Sequence, residues 1–298
     1  MKLKMQLTKI IQKGRGRTMS LRNITPVKEF KDILPQEYKD LVNNGPYAKN
    51  KSVNDLGTFK EIVEQHPHCA GCGVSSGIRL ALASLPTPED SIVIGTPGCS
   101  FFALSQSGLN YSNTAFGNQN SVASGLKRML KVRYPDKIKD VIVMVGDGGI
   151  ADIGLDMTLH SWFRRENITT IMLDNEVYGN TGGQESGMSK RGTVLNMAPK
   201  GKNFDKIPVF ELAKTSGCDY VAKVTVANPR KLGQAVRNAI LVAREIGPTY
   251  VQIFTPCPTN MKFPPDQTIK IAKEAEKDVY SFEEYISDEA AEYLKNLK

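Results

Sequence analysis

No apolar run in the 298 residues approaches the roughly 18 that a membrane-spanning helix needs. No internal repeat or low-complexity tract is present. Cysteine is scarce: the chain has five, an odd number and too few for a disulfide-stapled secreted scaffold. These counts exclude a membrane protein, a coiled coil and a disulfide miniprotein. What remains is ordinary for a globular chain, with 40% hydrophobic and 23% charged residues. The length suits one large α/β domain or two small ones.

Acidic residues are also missing from the first 28 positions, which carry eight bases: Lys2, Lys4, Lys9, Lys13, Arg15, Arg17, Arg22 and Lys28. The formal charge of +8 therefore belongs to this stretch, because the rest of the chain holds 31 bases against 31 acids. A nucleic-acid partner needs a basic face on the folded body and is not expected. Nor is a membrane partner. The stretch reads as an arm, disordered alone or laid on a partner chain, although acid-free basic N-termini also occur in targeting segments. A reducing, cytoplasmic setting fits the cysteine usage.

Residues 1–60 are expected to be this basic arm followed by an irregular segment broken by Pro35 and Pro46. From residue 61 to 262 the pattern is α/β. Strands are expected at Ser91–Gly95, Asp140–Val145, Ile168–Leu173, Tyr220–Val224 and Thr249–Phe254. Helices are expected at Ser75–Leu85, Ser121–Val132, Gly154–Arg165, Pro208–Ser216 and Pro229–Ile246. This alternation implies a doubly wound, mostly parallel sheet with ligands beyond the carboxyl ends of its strands. Residues 174–207 lack any period and read as a functional loop. Residues 263–298 read as a charged helical appendage on the surface or at a subunit contact. His160 and Trp162, in a helix, are expected to be packing residues.

The strand DVIVMV runs into Gly146-Asp147-Gly148-Gly149. Glycines let a backbone approach a phosphate, the next helix offers amides, and Asp147 offers a hard oxygen to a cation such as Mg²⁺. Alone the tripeptide is a weak signal. A second polar cluster, Asp174–Gln184, follows the next strand, and its Asn175 lies 28 residues after Asp147. One helix and one strand fit between them, so both sit at one sheet edge and can share an octahedral cation. The pair resembles the thiamine diphosphate signature. That likeness implies Asp147, Asn175 and the Val177 carbonyl as Mg²⁺ ligands.

Cys69-Ala70-Gly71-Cys72-Gly73 is a Cys-x-x-Cys pair, readable as a zinc site, an iron–sulfur site or a redox dithiol. Cys99 and Cys257 each follow a strand and fall at the same edge. Four thiolates from three regions can hold a 4Fe–4S cluster, with zinc or unlinked cysteines as the alternatives. Cys218 precedes a strand and reads as a free structural thiol.

These pieces together resemble the thiamine-diphosphate-binding β subunit of the pyruvate:ferredoxin oxidoreductase family of 2-oxoacid oxidoreductases. The likeness is carried by His66–Gly73, Pro97–Ser100, Ala115–Asn118 with Ala123-Ser124-Gly125, Gly146–Gly148, Asp174–Gln184 and Pro256-Cys257, in the family's order. It implies a thiamine diphosphate-binding fold with 4Fe–4S ligation by Cys69, Cys72, Cys99 and Cys257. It places Gly73, Cys99, Gly146–Gly149, Asn175, Val177, Asn180 and Thr181 at the cofactor, with Asn180 nearest the substrate carbonyl as the catalytic candidate. It implies oxidative decarboxylation of a short 2-oxoacid, with electrons leaving through the cluster to ferredoxin and coenzyme A as co-substrate for a pyruvate-type enzyme. Partner subunits of the α, γ and δ types would supply the pyrimidine-binding domain and further clusters.

Two positions depart from the family's pyruvate pattern: Val74 and Gly117 stand where pyruvate enzymes carry or often carry glutamate. Both remove a negative charge near an anion site, which suits oxalate as the alternative to pyruvate. Other readings are a non-oxidative thiamine lyase, a cluster-holding electron-transfer subunit without catalysis, and a zinc-binding module.

Overall fold

The computed structural model describes residues 66–107 and 109–297. The expected basic arm and irregular segment over residues 1–60 lie outside the described residues. In chain order the strands are β1 (Ser91–Gly95), β2 (Asn110–Asn113), β3 (Asp140–Gly146), β4 (Thr169–Asp174), β5 (Val177–Tyr178), β6 (Gln184–Glu185), β7 (Tyr220–Thr225), β8 (Thr249–Phe254) and β9 (Glu283–Ile286). Seven form one sheet in the order β2-β1-β3-β4-β8-β7-β9, while β5 and β6 pair as a separate antiparallel ribbon. Every neighbour in the large sheet is parallel except β9, which runs antiparallel to β7.

The central strands follow from composition. DVIVMVG, TTIMLD and TYVQIF are rich in β-branched and apolar residues and are buried almost throughout. Such unbroken runs mark parallel strands covered on both faces. The period of two then sorts side chains between two cores. Ile142 and Met144 of β3 join Ile78, Leu82, Leu232, Val236 and Ile240 on one face, while Val141, Val143 and Val145 join Ala123, Trp162, Val209 and Ala213 on the other.

The first core is covered by α1 (Gly73–Leu82) and α6 (Pro229–Glu245), the second by α3 (Gln119–Arg133), α4 (Leu155–Phe163) and α5 (Val209–Thr215). The start of α6 is set locally: Pro229 takes the first turn, and Asn228 Oδ1 accepts the Lys231 N–H at 3.2 Å. Trp162 is fully buried against Tyr250, as expected of a packing residue. His160, expected to pack as well, is exposed. Buried Cys218 packs in the second core. Among the described residues no helix is long and apolar enough to cross a membrane.

Strand β2 and helix α2 (Cys99–Leu104) were not expected from the sequence, nor was β9. The sequences NYSN and EEYI lie at the two sheet edges and are largely exposed, so neither carries an apolar run. The C-terminal stretch, read as a helical surface appendage, thus adds a strand to the sheet between α8 (Thr268–Ala275) and α9 (Asp288–Asn296), and buries Tyr280. The short helix α7 (Pro258–Met261) directly follows Cys257.

Candidate active site

The parallel strands point their carboxyl ends at one edge, where β3 delivers Gly146 and Asp147, β4 delivers Asp174 and Asn175, and the segments after β1 and β8 deliver Cys99 and Cys257. Asp147 is buried, and its Oδ2 accepts the Ser186 hydroxyl at 2.6 Å. Its Oδ1 lies 3.1 Å from the Asn175 side-chain amide, which also lies 2.7 Å from the Val177 carbonyl oxygen. A carboxylate, a side-chain amide and a backbone carbonyl therefore meet at one point; the amide N–H bridges the two oxygens, and the same amide turned to present its oxygen would complete a donor set for a hard divalent cation. Burial, and next the charge of Asp174, push the Asp147 carboxyl well above the usual range. A cation at this point would offset that penalty.

Behind the three groups the chain turns sharply. Glu176 takes a left-handed φ of +60°, its N–H donates to Asp174 Oδ1 at 3.1 Å, and Tyr280 donates to Asp174 Oδ2. Lys206 pairs with Glu176 and donates to the Tyr280 oxygen at 2.7 Å. Asp174 is pushed up by burial, with Lys206 opposing the shift. This buried network sets the backbone that presents Asn175 and Val177.

A cavity of about 550 Å³ opens in front of the turn. Its walls include Cys99, Gly146–Gly149, Asn175, Val177, Asn180 and Thr181, all expected from the sequence. A Cβ on Gly146 would meet no protein atom within 4 Å, so its backbone is open to a group lying in the cavity. Gly148 is glycine for a different reason: a Cβ there would stand 2.3 Å from the Tyr178 ring. Tyr178, part of the Asp174–Gln184 cluster but given no role from the sequence, lines the wall and donates to Asp152 Oδ2 at 2.9 Å. The Asp152 carboxylate also takes the Gly187 N–H, which ties the turn after β3 to the segment carrying Ser186. Gly73 is not a wall residue. Its N–H donates to the Pro256 carbonyl at 3.1 Å, and a Cβ there would collide with the Thr255–Pro256 backbone. Its neighbour Val74 lines the cavity.

The Gly73–Pro256 bond brings Cys72 beside Cys257. His68 Nε2 lies 2.6 Å from the Cys99 carbonyl and joins the Cys69 segment to the start of α2. Cys72 N–H closes a turn onto the Cys69 carbonyl at 3.1 Å. Burial pushes the Cys99 thiol up to about 12, and the neighbouring Cys72, Cys257 and Cys69 add to the shift in that order. Cys72 is raised by burial too, with smaller effects of Cys257 and Cys69. The four thiols are thus electrostatic neighbours next to the cavity. Among the described residues no three His, Cys, Asp or Glu side chains converge closely enough to share a single metal ion.

Residues 98–253, just over half of the chain, match the family model of the thiamine pyrophosphate enzyme C-terminal TPP binding domain. Pyruvate synthase subunit PorB of Methanothermobacter thermautotrophicus is 32% identical over 220 residues, covering 70% of this chain and 74% of that protein. Ketoisovalerate oxidoreductase subunit VorB of Pyrococcus abyssi is 33% identical over 72% of each chain. A solved 2-oxoglutarate:ferredoxin oxidoreductase from Magnetococcus marinus superposes with a TM-score of 0.60 at 27% identity, over 72% of this chain and 71% of that one. The fold, the edge where the polar and cysteine residues gather and these relatives agree: the chain belongs to the thiamine-diphosphate-binding β subunits of the 2-oxoacid:ferredoxin oxidoreductases, multi-subunit oxidoreductases.

Proposed function

We propose that this chain binds thiamine diphosphate through a Mg²⁺ held by Asp147, Asn175 and the Val177 carbonyl. We further propose a 4Fe–4S cluster on Cys69, Cys72, Cys99 and Cys257, and pyruvate as the substrate, oxidised to acetyl-CoA and CO₂ with electrons passing to ferredoxin. The observation that carries this reading is the meeting of the Asn175 amide with Asp147 Oδ1 at 3.1 Å and the Val177 carbonyl at 2.7 Å, in the wall of a cavity that Cys99 also lines. When bound, thiamine diphosphate supplies an electron sink for decarboxylation and the cluster a one-electron acceptor.

The chain's own residues bind and orient. Gly146 leaves backbone open to a diphosphate. Ser186 occupies one oxygen of Asp147 and keeps the other aimed at the cation. Asn180, exposed on the cavity wall, would contact the substrate carbonyl. Partner subunits would complete the site with a pyrimidine-binding domain and carry electrons onward through further clusters. Coenzyme A, bound in the Magnetococcus relative, would take the acyl group.

Pyruvate is favoured because, among the described residues, none lining the cavity is Lys, Arg or His, while Val74, Phe116 and Leu173 are apolar. The described wall therefore offers no cation to the second carboxylate of a longer dicarboxylate. Oxalate is the second reading, since Val74 leaves that wall uncharged. Gly117 does not add to the oxalate case. Its φ of +94° and a Cβ position 2.8 Å from Ile153 account for glycine there whatever the substrate.

The test is the native complex purified without oxygen, assayed on one sample for thiamine, iron, acid-labile sulfide and magnesium, then for ferredoxin reduction with pyruvate, oxalate and 2-oxoglutarate. Thiamine with a cluster assignable to this subunit and fastest turnover of pyruvate is the expected result. Zinc in place of iron, or no thiamine, overturns the cofactor reading. Faster turnover of oxalate overturns the substrate.

A further inference from the structure

Helix α7 begins at the cysteine after β8, and its Met261 N–H donates to the Cys257 carbonyl at 2.9 Å. Three residues after Cys257 the turn brings Asn260 back over its sulfur, with Nδ2 3.3 Å from Cys257 Sγ. Asn260 is only 7% exposed. A ligating thiolate can accept a hydrogen bond but has none to give, so it selects the N–H end of the amide.

The loop over the cavity holds that amide in place. Gly183 has a φ of +92°, and a Cβ there would stand 2.5 Å from Asn260 Oδ1. Gly179 closes another side: its Cβ position is 3.4 Å from Asn260 Nδ2 and 3.5 Å from Cys99 Sγ. Gly183 lets the backbone press directly on the side chain, and a Cβ on Gly179 would lie in ordinary van der Waals contact with it. Asn260 is therefore clamped between the loop that carries Asn180 and the sulfur of a cysteine assigned to the cluster.

We infer that Asn260 sets the reduction potential of the cluster by donating a side-chain N–H to Cys257 Sγ. It is a positioning residue that acts through the cysteine, and the inference rests on the cluster reading above. An electron entering an iron–sulfur cluster increases the negative charge shared by its thiolates. A hydrogen-bond donor to one of those sulfurs stabilises the reduced form more than the oxidised form and raises the potential. The step is a one-electron reduction by electrons that the 2-oxoacid oxidation releases. No bond forms or breaks at Asn260, and its proton stays on nitrogen.

The experiment is an EPR-monitored redox titration of the whole enzyme, purified without oxygen. Cys257→Ser identifies the signal that belongs to this chain. Asn260→Leu removes the donor, and Asn260→Asp removes it while keeping the side-chain shape and adding negative charge. The signal is expected to persist in both, with its reduction equilibrium weakened about tenfold in the leucine variant, which for a one-electron couple is about 59 mV more negative. The aspartate variant should shift further in the same direction, and it carries the test if the leucine variant does not assemble. An unchanged potential with an intact signal overturns the inference, even if activity falls, because packing under the loop would then be the whole role. Failure of Cys257→Ser to remove any signal overturns the cluster reading instead, and this inference with it.

Discussion

Tyr280 donates its hydroxyl to Asp174 Oδ2 at 2.6 Å across 106 residues of sequence. The same hydroxyl lies 2.9 Å from Glu176 Oε1, and its ring stacks on Phe254 with centroids 4.0 Å apart. Gln252 supplies a second donor to Asp174 Oδ2 at 2.7 Å. The segment beyond the α/β core thus reaches behind the turn that presents Asn175 and Val177. Its buried anchor holds a backbone whose front face is the proposed cation site.

Tyr280→Phe keeps the ring stack and removes the hydroxyl. Asp174 then loses one of its donors in a buried site, at a cost of about 1–3 kcal/mol. The expected result is a lower Tm of the assembled enzyme and faster loss of thiamine diphosphate on dilution. Thermal unfolding and a cofactor-retention assay measure both. Wild-type retention despite a lowered Tm would mean that the turn holds its shape without Tyr280.

Ser186→Ala tests the orientation of Asp147. The serine hydroxyl occupies Oδ2, and its loss leaves the carboxylate free to rotate away from Asn175. Loss of such an outer hydrogen bond weakens metal binding by about 10–100-fold. Titration of Mg²⁺ into metal-stripped enzyme with thiamine diphosphate present should show the shift. Unchanged Mg²⁺ affinity would mean that packing alone orients Asp147.

Lys202 is buried, and its Nζ donates to the Gly187 and Ser189 carbonyls at 2.8 Å each. Burial lowers its pKa from 10.5. Between the lowered value and 10.5 the unfolded chain binds more protons than the folded one, so this residue makes stability rise with pH in that window. Below the folded value both states are protonated and the contribution is flat. Lys202→Met should remove this part of the slope while lowering stability through the two lost hydrogen bonds. Thermal unfolding of wild type and variant from neutral to strongly alkaline pH measures the difference, which isolates Lys202 from Lys127, another base lowered by burial. Parallel curves through the window would refute it.

The middle of the sheet was legible in the sequence because β3, β4 and β8 are continuous apolar runs, and their expected bounds hold within a residue. The edges were not. Strands β2 and β9 are short and polar, and they exist because a neighbouring strand offers a row of unpaired backbone groups. Tyr280 was silent for the same kind of reason, since one aromatic in a charged stretch has no periodic context. Gly117 carried the opposite risk: an apparent clue to the substrate is a backbone requirement.

The sequence alone determined the chemistry on offer: a carboxylate between glycines, an asparagine one helix and one strand later, and cysteines placed after strands. Those are local properties of residue type and spacing. The tertiary structure decided which of these groups meet, because parallel pairing turns strands distant in sequence to a common edge. It also decided that Gly73 seals two cysteine segments together, that Tyr280 and Ser186 fix the turn and the carboxylate, and that Asn260 faces a sulfur. Each of those contacts depends on packing between remote segments, which local patterns do not encode.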